Sequence, residues 1–198
     1  MEANLFKNQY RTHTTRLENY DYSQGGYYFI TICTDNKKLF FGNIKNGKME
    51  LNEIGEIVSN FYQQIPKHFS NIKIDKYVIM PNHIHDIIVI NNSRDEAVPR
   101  LYQGKYPQLS KISPKAASLP VVIGSFKSIC TKRINQSSPY INFKWQTGYY
   151  DHIIRNEQDY NNIWDYIDYN PDKWMWDRNN PDCIKKSRTF KCSAYLFS

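Results

Sequence analysis

The apolar positions of this chain fall in short runs whose period switches between two and about 3.6 residues, and the switches mark out its elements. Tyr27 to Thr34 is β-branched and aromatic, which predicts a buried strand. Leu39 to Leu51 is interrupted by Asn46-Gly47, the signal of a tight hairpin. Asn52 then stands at a helix-cap position. Ile54, Val58, Phe61 and Ile65 follow at helical spacing, so an amphipathic helix is expected to run to about Pro66–Phe69. Ile72 to Met80 reads as a strand, Pro81-Asn82 as a tight turn and His83 to Ile90 as the antiparallel partner. Strand alternation puts His83, His85, Ile87 and Val89 on one face of that partner and Ile84, Asp86, Ile88 and Ile90 on the other. Asn91 to Ser118 holds prolines and charges without a period and reads as a long surface loop. Leu119 to Asn135 is expected to be a helix with Val122, Phe126, Ile129 and Ile134 inward, and Tyr149 to Ile154 a short strand. Asn156 caps a last helix, with Glu157 and Asp159 in its first turn and Tyr160, Ile163, Trp164 and Ile167 as its apolar stripe. Pro171 ends it, because a residue before proline resists helical geometry.

With the hairpin set aside, the order is strand, helix, strand, strand, helix, strand and a further helix. That is an α+β fold: a ferredoxin-like βαββαβ antiparallel sheet with an appended C-terminal helix. Helices cover one sheet face in this arrangement. The other face is open to carry a site, and the appended helix can pack there. The chain divides into a basic N-terminal arm (1–26), a domain (27–174) interrupted by the loop at 91–118, and a basic C-terminal tail (175–198).

Composition narrows the choice of partner. The 198 residues are 40% hydrophobic, enough for one domain with a real core. Aromatics make up 15% and the net charge is +7, a balance that suits nucleic acid: cations meet phosphates and rings stack on unpaired bases. The four cysteines include no Cys-x-x-Cys pair, which argues against a structural zinc site. The first 20 residues are polar, and no apolar run approaches membrane-spanning length, so a reduced, cytoplasmic protein is expected.

Candidate chemistry sits at three points. His83 and His85 share a strand face, where two imidazoles can hold one divalent ion. Tyr166 and Asn170 are four residues apart and therefore neighbours on one helix face. Each feature alone has a plainer reading, with His-x-His a common accident and Tyr166 a packing residue beside Ile163. Their order together changes the odds. Met80 to His85 after a strand, followed by Asp165 to Pro171 on a helix, resembles the HUH-superfamily single-tyrosine transposases. Within them it is most similar to the REP-associated tyrosine transposases and related insertion-sequence transposases. Ile123 to Ser128 and Trp145 to Arg155 extend the resemblance, which runs from about Tyr27 to Trp174.

The resemblance implies an enzyme that cuts and rejoins single-stranded DNA near hairpins through a 5′-phosphotyrosine intermediate. Tyr166 matches the nucleophile, His83 and His85 the paired metal-binding histidines, and Asn170 a third polar ligand of the metal. The implied cofactor is a divalent ion, Mg²⁺ or Mn²⁺, and the implied partner is single-stranded or hairpin DNA, bound by a monomer or homodimer. Asp86 departs from relatives, which often carry a small or apolar residue there; it faces away from the histidines and needs solvent or a partner such as a lysine. Candidate DNA contacts are Lys7, Arg11 and Arg16 in the arm, Lys127, Lys132 and Arg133 on the second long helix, His152 and Arg155 near the last strand, and Lys185, Lys186 and Arg188 in the tail. Two other readings compete: a non-catalytic single-stranded or hairpin nucleic-acid-binding module, and a metal-dependent hydrolase of a small phosphorylated substrate. The first leaves the His-His-Tyr-Asn set without a role, and the second has no need of a helical tyrosine or the positive charge.

Overall fold

The computed structural model describes residues 20–91 and 117–183. Its strands are β1 (Gly26–Cys33), β2 (Gly42–Lys45), β3 (Lys48–Leu51), β4 (Ile72–Met80), β5 (His83–Ile90) and β6 (Tyr150–Ile154). The helices are α1 (Glu53–Gln63), the short α2 (Ile65–His68), α3 (Leu119–Ser137) and α4 (Glu157–Asp168). β4, β5, β1 and β6 form one sheet in that order, and every neighbouring pair is antiparallel. This is the ferredoxin-like arrangement with α4 appended. β2 and β3 form the inserted hairpin, turned at Asn46 and Gly47 with φ of 51° and 71°. Both central residues of a type I′ turn need positive φ, which explains the Asn-Gly pair.

Local signals set the helix starts. Asn52 accepts a hydrogen bond from the Gly55 amide at 2.9 Å, and Asn156 from the Asp159 amide at 2.8 Å. Each satisfies an amide that the first helical turn leaves open. α1 and α3 cover one sheet face, where Val58, Phe126 and Ile134 pack on Ile30, Ile84 and Ile88. Two inward positions differ from expectation. Ile129 is exposed and Cys130 takes its place in the core, because the buried positions Val122, Phe126, Cys130 and Ile134 repeat every four residues. In α1 it is Tyr62, one position past Phe61, that is fully buried.

Asp86 is likewise fully buried, and its partner is a tyrosine where the sequence suggested a lysine. Tyr62 donates its hydroxyl hydrogen bond to Asp86 Oδ2 across the layer. Burial holds the Asp86 carboxyl well above the usual carboxylate range. A phenol suits this place because it brings a donor without a second charge to desolvate.

α4 crosses the other face, with Ile163 and Ile167 on Phe29 and Ile87. Tyr160, Trp164 and Asp168, spaced by four residues on α4, fasten it to β4. Tyr160 donates to Asp75, the Lys76 ammonium lies 3.7 Å from the centre of the Trp164 ring, and Lys76 also pairs with Asp168. Lys76 can join Asp75 on the α4 side because the register of β4 shifts between Ile74 and Lys76, which pairs Lys76 with Ile87.

The described ends of the arm and tail pack on the domain. Tyr22 joins the core beside Tyr28, and its carbonyl accepts from the Leu119 amide at 3.1 Å. Residues 175–183, which the sequence assigns to the tail, fold back over the site, with Asp177, Asn179 and Asn180 buried. Most of the predicted loop at 91–118 lies outside the described residues. Among the described residues, no helix is long and apolar enough to cross a membrane.

Candidate metal and nucleophile site

β5 carries the two histidines onto the face beneath α4, and both are almost completely buried. The tautomer of His83 follows from its neighbour. Asn82 donates both amide hydrogens, to the Lys37 carbonyl at 2.8 Å and the Asn179 carbonyl at 2.7 Å, so its Oδ1 can only accept. His83 Nδ1, 2.8 Å from that oxygen, is therefore the donor, and the lone pair of His83 sits on Nε2. His85 Nδ1 lies 2.9 Å from Thr31 Oγ1, on the paired residue of β1. Its Nε2 faces His83 Nε2 at 3.0 Å. With His85 Nδ1–H directed at Thr31, two lone pairs converge on one point.

Burial holds both imidazoles neutral. It pushes His83 down to about 3, helped by the positive charges of Lys37 and Arg178, and pushes His85 well below its ordinary value, with His83 adding to the effect. Neutral imidazole is the metal-binding form. Phe29 stacks on His85 with ring centres 5.4 Å apart and fixes its plane.

A carboxylate joins them. Asp177 Oδ2 lies 3.8 Å from His83 Nε2, and the three side chains offer ligand atoms that all lie within 4.8 Å of one another. Asp177 is positioned by the Asn179 amide, which donates to its Oδ1 at 2.5 Å. Sequence reasoning missed this residue. The available signal was Trp174-Met175-Trp176, an apolar triplet with two tryptophans, out of keeping with a solvated tail; Trp174 is buried with its ring 6.1 Å from that of His83.

Tyr166 enters from α4, its hydroxyl 3.2 Å from His85 Nε2 and its ring against Phe29 and His85. Burial and then Asp177 push the phenol up to about 12, while Arg178 and a hydrogen bond from the Asn170 side chain pull the other way. The two other tyrosines of this region have different fates. The Tyr160 hydroxyl is spent on Asp75, and Tyr169 is exposed beneath Lys173. Asn170 is buried, and its Oδ1 has no hydrogen-bond partner. A buried carbonyl oxygen without a donor is costly. The two neutral imidazoles and the Asp177 carboxylate make a donor set that fits a divalent ion.

The candidate DNA contacts are scattered. The Lys127 ammonium is held by the Gln146 and Gly148 carbonyls at 2.6 and 2.7 Å, and burial lowers its pKa. Lys132 and Arg133 are exposed on α3, which covers the face opposite the site. His152 Nε2 bonds Asp159 Oδ2 at 2.9 Å beside the site, and Arg155 is exposed at the end of β6. Lys7, Arg11, Arg16, Lys185, Lys186 and Arg188 lie outside the described residues.

The ferredoxin-like sheet thus carries paired histidines and a helical tyrosine on the face under α4. No family model matches the chain. An uncharacterized protein of Haemophilus influenzae is 37% identical over 163 residues, covering 82% of this chain and 89% of that protein. The REP-associated tyrosine transposase of Escherichia coli K12 is 24% identical over 161 residues, 78% of this chain and 72% of that one. The solved structure of a REP-associated tyrosine transposase bound to a REP hairpin superposes with a TM-score of 0.47 at 19% identity, over 86% of this chain and 76% of that one. Over most of its length the chain is thus similar to REP-associated tyrosine transposases.

Proposed function

We propose that this protein nicks and rejoins single-stranded DNA beside hairpins, with Tyr166 as the nucleophile. The observation that carries the reading is the approach of the Tyr166 hydroxyl to within 3.2 Å of His85 Nε2, which itself lies 3.0 Å from His83 Nε2. Tyr166 Oη bonds to the scissile phosphorus and loses its proton. The bond from phosphorus to the 3′ oxygen breaks, and that oxygen leaves as a 3′-hydroxyl once protonated. The strand remains attached through a 5′-phosphotyrosine, which keeps a phosphodiester bond for rejoining. His83, His85 and Asp177, with Asn170 Oδ1 beside the tyrosine, are the residues that would hold a divalent ion, Mg²⁺ or Mn²⁺. Such an ion supplies positive charge to the phosphate and lowers the pKa of a nearby phenol. Mn²⁺ suits two imidazoles better than Mg²⁺ does. Phe29 and α4 hold Tyr166 in place, and burial keeps both imidazoles neutral, so that each can turn a lone pair on Nε2 toward an ion.

The test is incubation of the full chain with a set of single-stranded hairpins and Mn²⁺, followed by denaturing electrophoresis. A DNA-bearing band that survives denaturation is expected. Tight hairpin binding without that band, at every hairpin and with either metal, would reduce the protein to a binding module.

A further inference from the structure

Beyond the metal site, a second feature opens on the same sheet face: a cleft of about 500 Å³ at the far end of β1 and β6, beneath the first turn of α4. Its volume lies in the range of pockets that take small molecules. Alternation fixes its relation to the site. Thr31, Phe29 and Tyr27 share one face of β1 and pair with Tyr150, His152 and Ile154 of β6. Thr31 bonds His85, Phe29 packs on Tyr166, and Tyr27 and Ile154 line the cleft. The step from Thr31 to Tyr27 is four strand residues, about 13 Å at the usual rise. An extended strand leaving the Tyr166 end can therefore reach the cleft within a few nucleotides. Arg178 over the Tyr150 ring marks one end of this lane and Arg155 the other.

The cleft has the parts of a base reader. Tyr27 is 44% exposed and held edge-on against Tyr160, ring centres 5.7 Å apart, leaving an aromatic surface toward solvent. Arg155 and Glu157 stand at the rim, exposed, and their side chains have no partner among the described residues. A carboxylate beside the guanidinium counts against a phosphate as occupant. It suits a ring that offers acceptors on one edge and donors on another. Guanine does so, with O6 and N7 for an arginine and N1–H and the 2-amino group for a carboxylate. Thymine has no amino group, adenine has no carbonyl acceptor, and cytosine, though its N3 and O2 both accept, has no ring N–H beside its amino group for a carboxylate to grip.

We propose that this cleft takes one unpaired guanine of the single strand, stacked on Tyr27 and read by Arg155 and Glu157, a few nucleotides from the bond that Tyr166 attacks. The proposal rests on the reading of this face as a single-strand DNA site. Its test uses the full chain and a DNA hairpin flanked by oligo(dT), with a single dG moved through each flank position and affinity read by fluorescence anisotropy. In the wild type, dG at one position is expected to tighten binding about tenfold over dT. Inosine at that position, which lacks the 2-amino group, should lose part of the gain. Glu157→Ala should bind dG and inosine alike, and Tyr27→Ala should lose the preference for dG. A wild type indifferent to dG at every position, or variants that both keep the full preference, would overturn the cleft assignment. Covalent adduct on the same oligonucleotides is scored separately. Adduct without a dG preference sinks the cleft alone, and a dG preference without adduct sinks the nuclease reading alone.

Discussion

The two faces of the sheet are built from the same strands and to opposite ends. The face under α1 and α3 is a broad apolar core in which Asp86 is the one acidic side chain of β5, matched by Tyr62. The face under α4 has a small apolar patch, Phe29, Ile87, Ile163 and Ile167, bordered by His83, His85, Asn170 and Asp177, all buried. One face secures the fold, and that security lets the other bury polar groups that do nothing for stability without a ligand. The difference teaches where a substitution should be felt as lost chemistry and where as lost stability.

The sharpest test of this division is Tyr166→Phe, which removes one hydroxyl and keeps the ring against Phe29 and His85. Complete loss of covalent adduct is expected, with an unchanged melting temperature and hairpin affinity; a surviving adduct would move the nucleophile elsewhere. On the packed face, Ile88→Ala should do the reverse. It should cost about 2–5 kcal/mol in urea unfolding, while the fraction that stays folded still forms adduct. A metal titration separates the faces differently. Mn²⁺ at about a hundred times its Kd should stabilise the wild type by about 2.7 kcal/mol, whereas Asp177→Ala should lose that gain and, like the wild type in saturating chelator, its adduct. If Asp177→Ala kept both, the carboxylate would not be a ligand. Tyr62→Phe leaves Asp86 without its donor and should cost about 1–3 kcal/mol without touching the metal response. The smallest effect is expected from Gly47→Ala in the hairpin. Its φ of 71° and a new Cβ 2.0 Å from Asp172 Oδ1 set against it should cost about 1–2 kcal/mol, read as a lower melting temperature. Because Asp172 lies between Asn170 and Asp177, the metal response should weaken with it.

Much of this was legible in the residues. Period-two alternation at His83 and His85 fixed their face, Asn46-Gly47 fixed the hairpin, and Asn52 and Asn156 fixed two helix starts. Tyr166 was separable from Tyr160 and Tyr169 by its spacing to Asn170. What escaped depends on chain segments meeting without a period. Asp177 reaches the histidines only because the chain turns back after Pro171. Tyr62 meets Asp86 across two layers, a pairing no local pattern encodes. Lys127 looked like a phosphate contact, yet its ammonium anchors the loop before β6, since carbonyls of a tight turn compete for the same donor.

The irregularity at Asp75 carries a consequence for solubility. β4 is an outermost strand of the sheet, and an open strand edge invites the edge of another molecule. The shifted register and the charges of Lys73, Asp75 and Lys76 spoil that edge as a template. The side chains that fasten the helix bearing Tyr166 are thus also the guard against sheet-to-sheet aggregation. A variant that straightened β4 to tighten its pairing would release the helix of Tyr166 and expose an adhesive edge in the same stroke.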